Sequence, residues 1–169
     1  MEPKADAEQS GDGSHSDSVR PSALSRYCLF MLGEESFAVN LKQVSEVFKL
    51  ELITPVPGMP LSLVGVANLR GMVVPLVDLR PLLEAPQSSA LRYAVIVRHG
   101  ARQIGILVDE VPEIRTIQAD DVLDGLPGEM GRNRPFLSGL LRMDSRTSGL
   151  VEVSRLLAMI EGTVDQQAA

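Results

Sequence analysis

From Leu24 onward, apolar residues come in short runs of valine, isoleucine, leucine and methionine, broken every few residues by glycine or proline. That texture predicts strands joined by turns, with few helices. Three hairpins stand out: 26–32 turning at Gly33-Glu34-Glu35 into 36–40, 63–69 turning near Arg70-Gly71 into 72–77, and 91–98 turning at His99-Gly100-Ala101 into 102–109. A weaker fourth pairs 136–143 with 149–153 across a polar turn. In the third, Ile104, Ile106 and Val108 alternate onto one face, the expected core face.

Two segments carry helical spacing instead. After Asn40 as cap, Leu41, Val44, Val47 and Phe48 fall on one side while Lys42, Gln43, Glu46 and Lys49 fall on the other. The second helix is expected over 154–161, with Ser154 as cap and Gly162 beyond its end.

Sliding the chain against itself reveals an echo. At an offset of 67, Gly33, Phe37, Ala38, Val39, Val44, Glu46 and Val47 meet Gly100, Ile104, Gly105, Ile106, Val111, Glu113 and Ile114. At an offset of 74, Gly65, Val77, Asp78, Leu82 and Leu83 meet Gly139, Val151, Glu152, Leu156 and Leu157. The order is the same in both halves. β-rich segments resemble one another easily, so coincidence is the alternative; the preferred reading is two similar small β-barrels from a duplicated unit, packed side by side. Closing each barrel would remove strand edges that invite aggregation.

With 169 residues and 44% apolar content, the chain can build a core without staples. The lone Cys28 sits in an apolar run, which predicts a buried small hydrophobe in a reducing compartment. No segment approaches the roughly 20 consecutive apolar residues that span a bilayer, and the start lacks a signal peptide's basic and apolar regions, so the expectation is a cytoplasmic protein without membrane insertion. Residues 1–22 are rich in Ser, Gly, Asp and Glu and are expected to form a flexible acidic tail. Five acidic residues against two basic ones there account for half of the net charge of −6. Residues 163–169 are expected to be a flexible end, leaving 23–162 as the folded domain. Without a basic excess, and with no tryptophan, nucleic acid is not an expected partner.

Candidate chemistry is sparse. His15 lies in the tail and His99 in a turn, so no histidine stands ready as a base for a nucleophile. Two histidines and one cysteine, none at ligand spacing, leave no expected metal site, and no glycine-rich phosphate loop follows a strand. Carboxylate neighbours such as Asp109-Glu110 and Asp120-Asp121 fit solvated turns better than a catalytic pair. No catalytic residue and no cofactor is expected; what remains is surface display of apolar residues near a few fixed charges.

The segment Thr54-Pro55-Val56-Pro57-Gly58-Met59-Pro60, followed by Val64-Gly65-Val66-Ala67-Asn68-Leu69-Arg70-Gly71-Met72-Val73-Val74-Pro75-Leu76-Val77-Asp78-Leu79-Arg80, resembles the signature of the CheW family, the coupling proteins of bacterial chemotaxis. Phe37-Ala38-Val39 with Val44-Ser45-Glu46-Val47 upstream, and Gly105-Ile106-Leu107-Val108-Asp109-Glu110-Val111 downstream, extend the resemblance over nearly all of 24–161. It implies a mainly β fold of two five-stranded, SH3-like barrels packed side by side, with a few short helices. It further implies a non-enzymatic adaptor that binds the cytoplasmic hairpin tip of chemoreceptors and the regulatory domain of the CheA-type histidine kinase. Location at membrane-associated receptor arrays would then come through those partners.

Receptor contact in that family is attributed to a groove between the barrels, and the matching positions are Val44, Glu46, Asn68, Arg70 and Gly71. Kinase-contact residues are not marked by any matching motif. Arg70, beside Gly71 at a strand end, can pair with a carboxylate such as Glu46 or reach a partner's polar groups; a solvated turn arginine is the plainer alternative. Gly71 supplies a positive φ, whereas Gly65 and Gly105 relieve crowding within strands. Val44 fits two roles, core by its spacing and interface by the resemblance. Ala67 stands where the family has a larger aliphatic residue, and the polar stretch 119–135 matches no motif.

Three other functions compete. One is a CheW-like adaptor of a related motility or chemosensory-like pathway that binds receptors but not the kinase. A small-ligand sensor on twin barrels would need convergent polar groups in a pocket, and none is evident. An SH3-like nucleic-acid binder conflicts with the acidic balance.

Overall fold

The computed structural model describes residues 24–86 and 90–167, with side chains to Gly162. The acidic segment expected as a tail at 1–22 lies outside the described residues. The described residues form eleven strands, arranged in two sheets, and three helices. One sheet has six strands in the order β8-β1-β2-β11-β10-β9, the other five in the order β3-β6-β7-β5-β4.

The hairpins form where the apolar runs placed them. β1 (Leu24–Leu32) pairs with β2 (Glu35–Asn40), β4 (Leu63–Leu69) with β5 (Met72–Val77), β6 (Tyr93–His99) with β7 (Arg102–Val108), and β10 (Leu137–Met143) with β11 (Arg146–Val151), all antiparallel. In the fourth the returning strand starts at Arg146, three residues before its expected start at Gly149.

The expected helix after Asn40 is a correction. Asn40 does cap a turn, its Oδ1 accepting from Lys42 N–H at 2.9 Å, but that turn spans only Leu41–Gln43. Val44–Lys49 is then a strand, β3, pairing antiparallel with β6. Its residues alternate between half-buried and exposed, so Val44 and Phe48 face inward while Val47, expected in the core, is 38% exposed. Apolar residues at 41, 44 and 48 satisfy either period over so short a run; the free edge of β6 and the β-branched valines decide for the strand.

The expected helix at 154–161 is α3 (Val153–Gln167), which starts one residue earlier and runs past Gly162. Three elements lie within the stretch 119–135 that matched no motif: a 3-10 turn (Ala119–Asp121), β9 (Val122–Asp124) and α2 (Gly128–Asn133). The other additions are β8 (Glu113–Gln118) and α1 (Arg80–Leu83).

The internal echo is structural. Each half runs hairpin, crossing strand, hairpin: β1-β2, β3, β4-β5, then β6-β7, β8, β10-β11. Each crossing strand leaves its own hairpin and pairs with the other half's first hairpin, β3 with β6 and β8 with β1. Each half's second hairpin joins the other sheet through a parallel seam, β5 with β7 and β11 with β2. The two sheets are therefore interlocked: each contains strands from both halves, and neither half closes a sheet alone.

Corresponding glycines admit the segments that pair beside β4 and β10. Gly65 lies under the bridge between Thr54 and Val66, and a Cβ there would sit 2.3 Å from Thr54 O. Its counterpart Gly139 lies under β9, and its Cβ would sit 2.2 Å from Leu123 O. Gly105 repeats the logic at a parallel seam, 2.8 Å from Leu76 Cδ2. The largest core cluster draws from both sheets, uniting Phe30, Phe37 and Val39 with Val95, Ile106, Phe136 and Leu156. Cys28 is buried in it, and burial pushes its thiol up to about 11.

Candidate functional site

Arg70 and Gly71 form the whole two-residue turn between β4 and β5, both with positive φ, 52° and 82°. Positive φ at both central positions is the twist that matches a tight hairpin. Glycine adopts it freely, whereas an arginine is held in the left-handed region at a cost of about 1 kcal/mol. Asn68 secures the turn, its Oδ1 accepting from Gly71 N–H at 2.9 Å.

The turn aims the Arg70 side chain across the barrel. β3 and β4 are the opposite edges of the five-stranded sheet, yet Arg70 Nη2 lies 3.3 Å from Glu46 Oε2 on β3. The sheet is curled enough for one long side chain to bridge from the turn after one edge strand to the other edge strand. Side-chain exposure is 81% for Arg70 and 28% for Glu46, so the carboxylate anchors a guanidinium that still faces solvent. An exposed pair of this kind contributes about 0–1 kcal/mol and serves to orient the arginine more than to stabilise the fold.

Four of the five sequence-derived residues thus come together: Asn68, Arg70 and Gly71 in one turn, and Glu46 by ion pair. Val44 opens β3 two residues before Glu46, half-buried and packed on the main core. Ala67, next to Asn68, is buried in the smaller core cluster with Val74, Leu76 and Ile96, so the short side chain is fully enclosed.

Sequence reasoning missed the apolar surface beside the turn. Met72 and Val73 are consecutive in β5 and both are exposed, 57% and 67%. They edge a cleft of about 680 Å³ that also takes in Met59, Leu63, Ile104, Leu157 and Ile160. The available signal was the run Met72-Val73-Val74, whose two leading apolar residues cannot both face the core of a strand. The Asp78 and Arg80 pairing was missed as well. Asp78 Oδ1 accepts from Arg80 N–H at 2.9 Å and its Oδ2 from Nη2 at 2.9 Å, both residues being buried where β5 passes into α1.

Among the described residues, no group of three or more His, Cys, Asp or Glu side chains is placed to hold a metal ion. No described helix is long and apolar enough to cross a membrane.

Interlocked similar halves, with a charged turn displayed beside the five-stranded sheet, define a two-sheet β domain built for surface display. The family model described as CheW-like domain matches residues 26–161. The probable chemotaxis protein CheW of Rhizobium etli is 33% identical over 78% of this chain and 86% of its own. Protein PilI of Pseudomonas aeruginosa is 29% identical over 80% of this chain and 76% of its own. The crystal structure of scaffolding protein TtCheW from Thermoanaerobacter tengcongensis superposes with a TM-score of 0.68 and 25% identity, over 76% of this chain and 84% of that one. The chain belongs to the CheW-like family of chemotaxis scaffolds.

Proposed function

We propose that this protein couples chemoreceptors to a CheA-type histidine kinase, binding the receptor's cytoplasmic hairpin tip at the Arg70 turn and the kinase regulatory domain on another surface. The observation that carries this reading is the Arg70 guanidinium, held over Glu46 by a strained two-residue turn while staying open to solvent. The left-handed backbone of Arg70 belongs to the hairpin turn, and the side chain that this turn carries is left exposed and charged, the form in which an arginine is presented to a partner. Met72 and Val73 supply apolar area beside that charge, the combination found in the centre of protein interfaces. The protein works without catalysis: signal passes by geometry, and its place at membrane arrays comes from its partners in the cytoplasm.

The test is a pull-down from native lysate with the tagged protein and its Arg70→Glu variant, read by mass spectrometry. Recovery of a chemoreceptor and a CheA-like kinase, with the receptor lost in the variant, supports the coupling role and the site. Equal receptor recovery with the variant rejects the site.

The match to Protein PilI, a relative not named as a CheW, supports one second reading, an adaptor of a related motility or chemosensory-like pathway; in that reading the protein binds receptors but not the kinase. Recovery of receptor without kinase would select it.

A further inference from the structure

Glu35 and Arg102 occupy the same place in the two halves, at the offset of 67 that relates β2 to β7. Each clamps a helix that lies against a cleft beside its parallel seam, with the polarity reversed. Arg102 Nη1 donates to Glu161 of α3 at 2.7 Å, and Arg134, which directly follows α2, grips Glu35 with both terminal nitrogens, Nη2 to Oε1 at 2.8 Å.

The two helices differ in what else holds them. α3 buries Val153, Leu156, Leu157 and Ile160 in the main core and does not depend on its ion pair. α2 buries none of its residues and has no side-chain cap at its start. Gly128, with φ of 51°, stands at its start and provides a pivot where a chain swings with little steric resistance, whereas Gly125 before it is tied to β10, its N–H donating to Ser138 O at 2.9 Å. Leu126, two residues before the helix, is partly packed on the core, so the side-chain hold at the far end is the Glu35 grip. Met130 and Arg134 lie against a cleft of about 580 Å³ with Met31, Phe37, Leu137 and Leu140 in its walls.

We propose that α2 is a gate over the cleft between β2 and β11, held shut by the single ionic latch of Arg134 on Glu35. Release of Arg134 lets residues 128–134 swing about Gly128 and opens the apolar walls to solvent. The lowered pKa of Glu35, caused first by its hydrogen bonds with Arg134, fits a latch that is engaged at neutral pH.

The test is hydrogen–deuterium exchange by mass spectrometry on the full chain, with binding of the apolar dye 8-anilinonaphthalene-1-sulfonate as second readout. Arg134→Ala and Glu35→Gln are each expected to speed amide exchange across 128–134 about tenfold, to raise dye binding, and to leave β1 and β6 unchanged. The swapped pair Glu35→Arg with Arg134→Glu is expected to restore slow exchange. Arg102→Ala, the built-in control, is expected to leave the buried turns of α3 as slow as before. Unchanged exchange at 128–134 in both single variants overturns the latch, and faster exchange without extra dye binding overturns the gate. An equal acceleration of α3 in Arg102→Ala would show that any surface ion pair has this effect and would also overturn it. Should Arg134→Ala lose its fold, seen as fast exchange in β1, the milder Glu35→Gln decides.

Discussion

Glu46 lies on one edge strand of the five-stranded sheet and Arg70 in the turn that follows the opposite edge strand, and their side chains meet at 3.3 Å. The contact spans the opening of the barrel, which makes the arginine a reporter of barrel closure as well as a candidate contact for a partner. Arg70→Glu removes the attraction and places two carboxylates face to face at a solvent-exposed site. Receptor affinity is expected to fall about tenfold, about 1.4 kcal/mol, while the melting temperature moves by no more than a few degrees. Titration of a receptor cytoplasmic fragment by calorimetry, beside a thermal melt, checks both; a collapsed melt would place Arg70 in the fold and not in the interface.

Function and stability pull apart at the same residue. Asn tolerates the left-handed region that strains an arginine, and Asn-Gly is the favoured pair for this turn. Arg70→Asn is expected to leave stability unchanged or raise it by up to about 1 kcal/mol, while weakening receptor binding as the charge reversal does. Urea midpoints would register the gain, and a loss of stability would mean that the Glu46 contact outweighs the backbone strain.

Two close approaches admit no side chain. Gly65→Ala and Gly139→Ala each drive a methyl into a backbone carbonyl, Thr54 O and Leu123 O, at a spacing real atoms do not reach. Each is expected to cost about 1–3 kcal/mol by displacing the Thr54 bridge to β4 or the pairing of β9 on β10. Denaturant unfolding measures it, with alanine at Gly33 as a contrast: that position has open space around its Cβ, so its penalty is confined to a φ of 65°.

The buried pair is the costliest charge to disturb. Asp78→Ala leaves the Arg80 guanidinium buried without its carboxylate and is expected to destabilise by about 3–5 kcal/mol. Arg115→Ala removes a comparable contact to Glu113 at the surface, at 2.7 Å, and is expected to cost less than about 1 kcal/mol. Equal losses in chemical denaturation would refute the distinction.

Acid should weaken the Glu35 contact. Its folded pKa lies below the ordinary 4.5 because Arg134 hydrogen-bonds the charged form, so its stabilisation is complete above that ordinary value and is lost as pH falls through the depressed one. Arg134 stays protonated throughout; Glu34 and Arg146 line the same cleft and face the same medium. Thermal melts of the protein and its Glu35→Gln variant are expected to differ at pH 7 and to converge as the pH drops to 3, whereas a constant gap would dissociate the stabilisation from ionisation of Glu35.

Local chemistry made part of this legible beforehand. The hairpin of β4 and β5 coincides with its sequence reading because Arg70-Gly71 leaves no other place to turn between two apolar runs. Gly65 and Gly105 announced crowding because a strand has no other use for a missing side chain. The pairing of Arg70 with Glu46 was open as one option among several carboxylates.

Spacing pointed to the duplication, with coincidence as the alternative: glycines and valines recur 67 and 74 residues apart, and both halves fold in the same order of hairpin, single strand and hairpin. Tertiary structure alone decided which strands share a sheet, since hydrogen bonding between strands leaves no period in either sequence. For the same reason residues 44–49 became a strand, taking the edge that β6 offers in place of the helix their spacing also allowed. The meetings of Glu46 with Arg70 and of Glu35 with Arg134 arise only once curled sheets bring residues 24 and 99 positions apart within reach, because charges carry no mark of their partner until the chain is folded.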